Sequence, residues 1–155
     1  MKLSQGVEWA LHCVTLLAQG DPGTVASRHT LAGWYGLPEA YLAKHLKSLV
    51  RAGVLHAGSG PRGGFRLARP PEEITALEVV ESIDGPSSAF VCTEIRQNGA
   101  CAAPPEECVR RCAIDRLMQE ADAAWRERLR RTPVSELAAG LPAPLRGRAR
   151  EWLAR

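Results

Sequence analysis

Two helix-forming stretches meeting at a short breaker constrain this chain more than any other feature. Ser27 can cap a helix running to about Tyr35, Gly36-Leu37-Pro38 interrupts it, and a second helix runs from Pro38 to Ala52 before Gly53. In the second helix Leu42, Leu46, Leu49 and Val50 form an inward face, leaving Ala40, Lys44, Lys47, Ser48 and Arg51 outside. Val54-Leu-His-Ala, the glycine-rich run Gly58 to Gly64, and Phe65-Arg-Leu-Ala then read as strand, turn and strand, with Arg62, Arg66 and Arg69 concentrated around the tip. Two helices about a tight turn, followed by a hairpin, spell a winged helix-turn-helix in a mainly α chain.

The flanking segments are helical by pattern. Leu3, Val7, Leu11, Val14 and Ala18 make one apolar stripe of a first helix, and Trp9, Cys13 and Leu16 make a second. Only Glu8, His12, Thr15 and Gln19 remain as a polar strip, which predicts burial on more than one side. Thr75, with Glu78 three residues on, predicts a capping box opening a helix to Asp84. Ile114, Leu117, Met118, Ala121, Ala124, Trp125 and Leu129 repeat at helical spacing along a long helix from about Glu107 to Arg131, of a kind that pairs with a partner chain. Val134–Leu141 and Leu145–Leu153 read as short helices. The organisation expected is a winged-helix domain over 1–85, with its first helix also in dimer contact, a loop over 86–112, a dimerisation helix over 107–131 and C-terminal helices over 132–155.

With 155 residues and 45% hydrophobic composition the chain can bury one ordinary core. Its beginning lacks a signal-peptide pattern, and no run approaches the roughly 18 apolar residues of a membrane span, so the expectation is a cytoplasmic protein with no membrane partner. A net charge of +3 decides little by its size. Its placement says more: Lys44, Lys47 and Arg51 on one helix face and Arg62 and Arg66 on the hairpin sit where double-stranded DNA would be met, by a helix in the major groove and a basic loop on phosphates. A merely solvated helix face would not require a glycine-arginine hairpin beside it.

Four of the five cysteines lie between Phe90 and Cys112, spaced C-x8-C-x6-C-x3-C as Cys92, Cys101, Cys108 and Cys112. Gly99, Pro104 and Pro105 break this stretch, placing the first two on irregular backbone, while the last two, four apart, suit one face of a starting helix. A loop poor in apolar residues and rich in soft ligands is explained by something that binds sulfur: an iron-sulfur cluster, a zinc ion without the usual C-x2-C pairs, or a thiol-disulfide switch using Cys108 and Cys112. Cys13, on an apolar stripe, reads as a core thiol. Glu8 and His12, one turn apart, could grip one metal atom together or simply hydrogen-bond to each other, whereas His29, His45 and His56 are isolated. No nucleophile-base-orienter set, phosphate loop or carboxylate cluster points to an enzyme or a small-molecule substrate.

Met1-Lys-Leu-Ser, Glu8-Trp-Ala-Leu-His-Cys, Tyr41-Leu-Ala-Lys, Gly63-Gly-Phe, Ile83-Asp-Gly-Pro and the cysteine stretch together resemble the Rrf-type iron-sulfur winged-helix transcription regulators, the IscR/NsrR/RsrR family, over about residues 1–140. That resemblance implies a homodimeric bacterial transcription regulator whose cluster senses redox state, nitric oxide or cluster supply; the candidate DNA-contacting set is Ala40, Tyr41, Lys44, Lys47, Ser48, Arg51, Arg62 and Arg66. The chain departs from the family's commoner arrangement of three cysteines each separated by five residues. Glu8 to Cys13 and Phe90-Val-Cys-Thr-Glu-Ile-Arg-Gln are most similar to the RsrR branch, which implies a [2Fe-2S] cluster held by Glu8 and His12 of one subunit and Cys92 and Cys112 of the other. The alternative within the family is a [4Fe-4S] nitric-oxide or oxidative-stress sensor, in which Cys101 joins Cys92 and Cys108 and Glu8 or His12 supplies the fourth ligand. Outside it, a zinc- or thiol-dependent regulator remains.

Overall fold

A computed structural model describes residues 3–60, 63–88 and 90–155. Helix α1 is Gln5–Leu17, α2 Arg28–Tyr35, α3 Glu39–Arg51, strands β1 and β2 are Leu55–Gly58 and Gly64–Leu67, α4 is Ala76–Asp84, α5 Ala113–Arg130, α6 Val134–Ala139 and α7 Ala143–Leu153. The chain divides into two compact units, one of residues 2–86 with 129–155 and the other chiefly of residues 87–128.

In the first unit local chemistry places each helix end. The Ser27 hydroxyl accepts the Thr30 N–H at 2.9 Å, and Gly36 closes α2 in the left-handed region at φ 64°, which costs a residue without Cβ little. Leu31, Leu42, Leu46, Leu49, Val54, Leu55 and Ile74 are fully buried together with Val7, Val14 and Leu16 of α1. Each such side chain contributes roughly 1.5–3 kcal/mol by leaving water. β1 and β2 pair antiparallel, Leu55 opposite Leu67 and His56 opposite Arg66. Ala26 adds an isolated antiparallel bridge to Phe65 on the other side of β2, and a Cβ on Gly64 would stand 2.6 Å from the Ala26 carbonyl oxygen, so this approach of backbones requires glycine. The capping box at Thr75 and Glu78 is complete. Burial pushes the Glu78 carboxyl up, but the bonds from Thr75 and Arg69 outweigh it and hold it below its ordinary range.

Residues 129–155 return to this same unit. Gln19 donates to the Ala138 carbonyl at 3.0 Å, Arg150 donates to the Gln19 carbonyl at 3.2 Å, and the Trp152 indole donates to the Thr30 carbonyl at 3.0 Å. Thr15 and Gln19 of the predicted polar strip on α1 are thereby buried, while Glu8 and His12 stay exposed.

In the second unit α5 begins at Ala113, six residues later than the expected Glu107. Pro105–Glu107 forms a 3-10 turn and residues 108–112 are irregular. Cys108 and Cys112 therefore do not share a helix face, which corrects that expectation. The physical reason is that Pro104 and Pro105 restrict the backbone into a turn that closes at Cys108, and the first α5 bond is made only at Cys112, whose carbonyl accepts the Arg116 N–H at 3.0 Å.

Candidate functional site

On α3, Ala40, Tyr41, Lys44, Lys47 and Arg51 are exposed and Ser48 is half-buried, all within one arc of the helix. Leu42, Leu46 and Leu49 anchor the opposite face at zero exposure, fixing the orientation of that arc. His45, isolated by sequence, lies on the anchored side: it is 9% exposed, between Trp9 at 6.0 Å and Tyr41 at 5.4 Å between ring centroids, and its Nε2 has no hydrogen-bond partner. Burial, with Lys44 adding to it and Asp84 opposing, holds this imidazole below the ordinary histidine range. Arg66 sits half-buried on β2, and Arg62 lies outside the described residues. Arg69, grouped with the hairpin-tip arginines by sequence, is committed elsewhere, donating to the Glu73 carbonyl at 2.9 Å and to Glu78 at 2.6 Å.

The cysteine stretch is organised by backbone and by one arginine. Cys92 Sγ accepts the Glu94 N–H at 3.4 Å, and Cys112 Sγ accepts the Asp115 N–H at 3.5 Å. Cys112 thus takes the capping position of α5, its sulfur at the positive end of the helix dipole. Cys108 is half-buried and Cys101 exposed, and among the described residues no N–H is directed at either sulfur. Arg96 donates to both Glu94 carboxylate oxygens, at 2.5 and 2.8 Å, and to the Arg110 carbonyl at 3.1 Å, while its own carbonyl accepts the Ala103 N–H at 2.8 Å. One side chain therefore ties the Cys92 arm to the Cys112 arm. The bond to Glu94 holds the guanidinium's pKa above its ordinary value, with Cys108 and Cys112 adding to it, and holds the Glu94 carboxyl low. Glu94 is held at φ 52°, a left-handed conformation uncommon for a side-chain-bearing residue and of the kind that collects at functional sites.

Glu8 and His12 are exposed one turn apart on α1, on the unit that does not carry the loop cysteines. The His12 ring rests 5.1 Å from that of Tyr35, whose hydroxyl donates to the His12 carbonyl at 3.0 Å. Among the described residues no three histidine, cysteine or acidic side chains gather to hold a metal ion within one chain. The separate donors nonetheless suit an iron-sulfur centre chemically: two sulfurs already accepting backbone N–H bonds of the sort that tune thiolate ligands, and a carboxylate and imidazole at helical spacing. Cys13 is fully buried, its thiol pushed up to about 12 by desolvation, which places it among core residues.

Sequence reading missed the Arg96–Glu94 clamp, the burial of His45 and the polarity of α5. The clamp has a signal in the i, i+2 acid-base pair of Glu94 and Arg96, though such a pair alone does not show what it holds. On α5 the inward residues are Asp115, Asp122 and Arg126, with Asp115 9% exposed and Asp122 bonded to Arg126 at 2.7 Å. The first turns of the apolar stripe are exposed, Ile114 63% and Leu117 64%, while Trp125 and Leu129 further along are half-buried, and Val91, Ile95 and Val109 of the loop are more exposed still.

A helix-turn-helix with a wing, a basic reading helix and a separate cysteine-bearing unit define the class of winged-helix regulators. The chain belongs to the Rrf2 family, described as iron-dependent transcriptional regulators, whose model matches residues 3–140. It is 26% identical over 125 residues to the HTH-type transcriptional regulator NsrR of Bacillus subtilis, covering 81% of this chain and 82% of that one. Two Mycobacterium tuberculosis relatives named as HTH-type transcriptional regulators are 35% identical over 86 residues, and the match takes in 53% of their length, so the chain spans about half of them. Among solved structures it is similar to CymR, the global cysteine regulator of B. subtilis, with TM-score 0.71 at 24% identity over 92% of this chain and 99% of that one. It is also similar to T. potens IscR, with TM-score 0.66 at 18% identity over 92% and 93%. The structural likenesses carry the fold. These relatives are regulators of transcription, not enzymes. Among the described residues no helix is long and apolar enough to cross a membrane.

Proposed function

We propose that this chain is a cytoplasmic, homodimeric bacterial regulator that binds double-stranded DNA and senses redox state through a [2Fe-2S] cluster shared across the dimer. Glu8 and His12 of one subunit and Cys92 and Cys112 of the other are the ligands in this reading. The observation that carries it is the pairing of backbone N–H donors with the sulfurs of Cys92 and Cys112, and not of Cys101 or Cys108, in a loop that Arg96 clamps. DNA contact falls to Ala40, Tyr41, Lys44, Lys47, Ser48 and Arg51 of α3, to Arg66 and to Arg62.

A cluster bound there supplies a one-electron redox couple, and carboxylate and imidazole ligands raise its potential relative to four thiolates. The protein's part is mechanical. α1 carries Glu8 and His12 on its exposed side and packs Gly6 and Trp9 against His45 of the reading helix on another. A pull on the first pair is therefore delivered to α3 through packed side chains rather than through a loop. The exposed apolar stripe of α5 and its loop supports a second copy of the chain as partner, since a helix that buries aspartates and exposes isoleucine and leucine is incomplete alone.

Anaerobic purification, iron and sulfide analysis, and EPR before and after dithionite test the reading. Cys92→Ala and Cys112→Ala are expected to abolish a two-iron spectrum that Cys101→Ala leaves unchanged. Four irons per cluster, together with loss in Cys101→Ala and Cys108→Ala, would establish the [4Fe-4S] alternative instead, and a stoichiometric zinc ion would establish the zinc-dependent one.

A further inference from the structure

Besides the basic face of α3, the C-terminal stretch carries a local excess of positive charge. Residues 143–155 hold four arginines, Arg146, Arg148, Arg150 and Arg155, and a single acid, Glu151, so residues 1–142 sum to zero. This stretch is α7 and the two residues after it, and it lies beyond the 3–140 segment shared with the family.

α7 is held firmly in one place. Trp152 donates to the Thr30 carbonyl, its ring stands 5.8 Å from that of Trp34, and a Cβ on Gly33 would lie 3.3 Å from its Cζ2, so the indole occupies the face of α2 formed by Thr30, Gly33 and Trp34. Arg150 is committed to the Gln19 carbonyl. Arg148, one turn before Trp152 and hence on the same side of α7, is exposed, and the Arg155 guanidinium lies 5.0 Å from the Trp152 ring centroid. Among the described residues no carboxylate pairs with Arg148 or Arg155.

We propose that α7 is an accessory DNA-contacting helix, with Arg148 and Arg155 neutralising phosphates that flank the sequence read by α3. The proposal rests on the DNA-binding reading above. In a helix-turn-helix the second helix enters the major groove while the first crosses the backbone. α2 is that first helix. An element docked along it therefore lies beside phosphates and not base edges, and guanidinium groups free of carboxylates are the side chains suited to that contact. The contact adds affinity without changing which sequence is preferred.

The test uses the full-length dimer with its cofactor and a duplex selected from a randomised library by the wild-type protein. Binding is measured against salt for wild type, Arg148→Ala/Arg155→Ala, Arg148→Lys/Arg155→Lys and Lys47→Ala. Removing one cation that neutralises a phosphate makes the slope of log K against log salt shallower by about 0.9. The alanine pair is expected to make it shallower by about two per subunit and to erase ethylation interference at flanking phosphates, while keeping the selected sequence and the wild-type melting temperature. The lysine pair is expected to restore most of the slope. An unchanged slope and footprint in the alanine pair, with Lys47→Ala still weakening binding, would overturn the role of α7 alone. Failure of the wild type to select any duplex would overturn the DNA-binding reading and this inference with it.

Discussion

The Cβ that Gly6 lacks would overlap Cε1 of His45, so α1 and α3 meet with the imidazole filling the space of a missing methyl group. Both residues are buried, and Trp9 and Tyr41 enclose the ring with centroids 6.0 and 5.4 Å away. The helix that carries Glu8 and His12 is thus seated directly on the helix that carries Lys44 and Lys47.

Gly6→Ala should therefore act as overpacking and lower stability by about 1–3 kcal/mol. Urea unfolding of Gly6→Ala, His45→Ala and the double variant would check it. The double variant should be more stable than the sum of the two single effects implies. Strict additivity would show that the two sites are not coupled.

His45 also makes stability depend on pH. Its folded pKa is depressed by burial, with Lys44 beside it and Asp84 opposing, so the unfolded chain takes up the proton more readily. The contribution is fully present above the ordinary histidine value of about 6.5 and is lost as pH falls through the lower folded value. The stability difference between wild type and His45→Gln should shrink from pH 7.5 to 5.5. The other histidines are common to both proteins and cancel, so a constant difference would count against the assignment.

Cys13 should be chemically silent in the folded protein. Its thiol, pushed up to about 12 and fully buried, has almost no thiolate at pH 8. In cluster-free protein treated with iodoacetamide, mass spectrometry should find the loop cysteines alkylated first and Cys13 only after denaturant is added. Modification of Cys13 at the rate of Cys101 would mean the core opens far more readily than its packing implies.

In the homodimer proposed above, Leu117→Glu should separate the subunits. Leu117 is 64% exposed on the apolar side of α5, and a carboxylate there would be desolvated by a partner chain but harmless in a lone one. Sedimentation should show loss of the dimer, with circular dichroism unchanged. An intact dimer would place the subunit contact on another surface.

How much of this was readable beforehand follows from the range of each interaction. The turn at Gly36, the caps at Ser27 and Thr75 and the inward run Leu42, Leu46 and Leu49 are decided within a few residues, and they appear where periodicity and capping chemistry put them. The start of α5 is not legible because a four-residue spacing between Cys108 and Cys112 serves a helix face or a proline-limited turn equally well. His45 reads only as an isolated histidine because nothing nearby in sequence reveals that Gly6, 39 positions earlier, leaves a hole for it.

By itself the sequence determined the order of elements, the winged-helix class, the basic face of α3 and the family, since each depends on side chains adjacent along the chain or on its helical repeat. Only the tertiary structure decided that α7 returns to clasp α2, that Arg96 joins two arms of the cysteine loop, and that α5 turns its aspartates inward. Those outcomes depend on which distant surfaces can exclude water and satisfy each other's polar groups, a competition that no local pattern encodes.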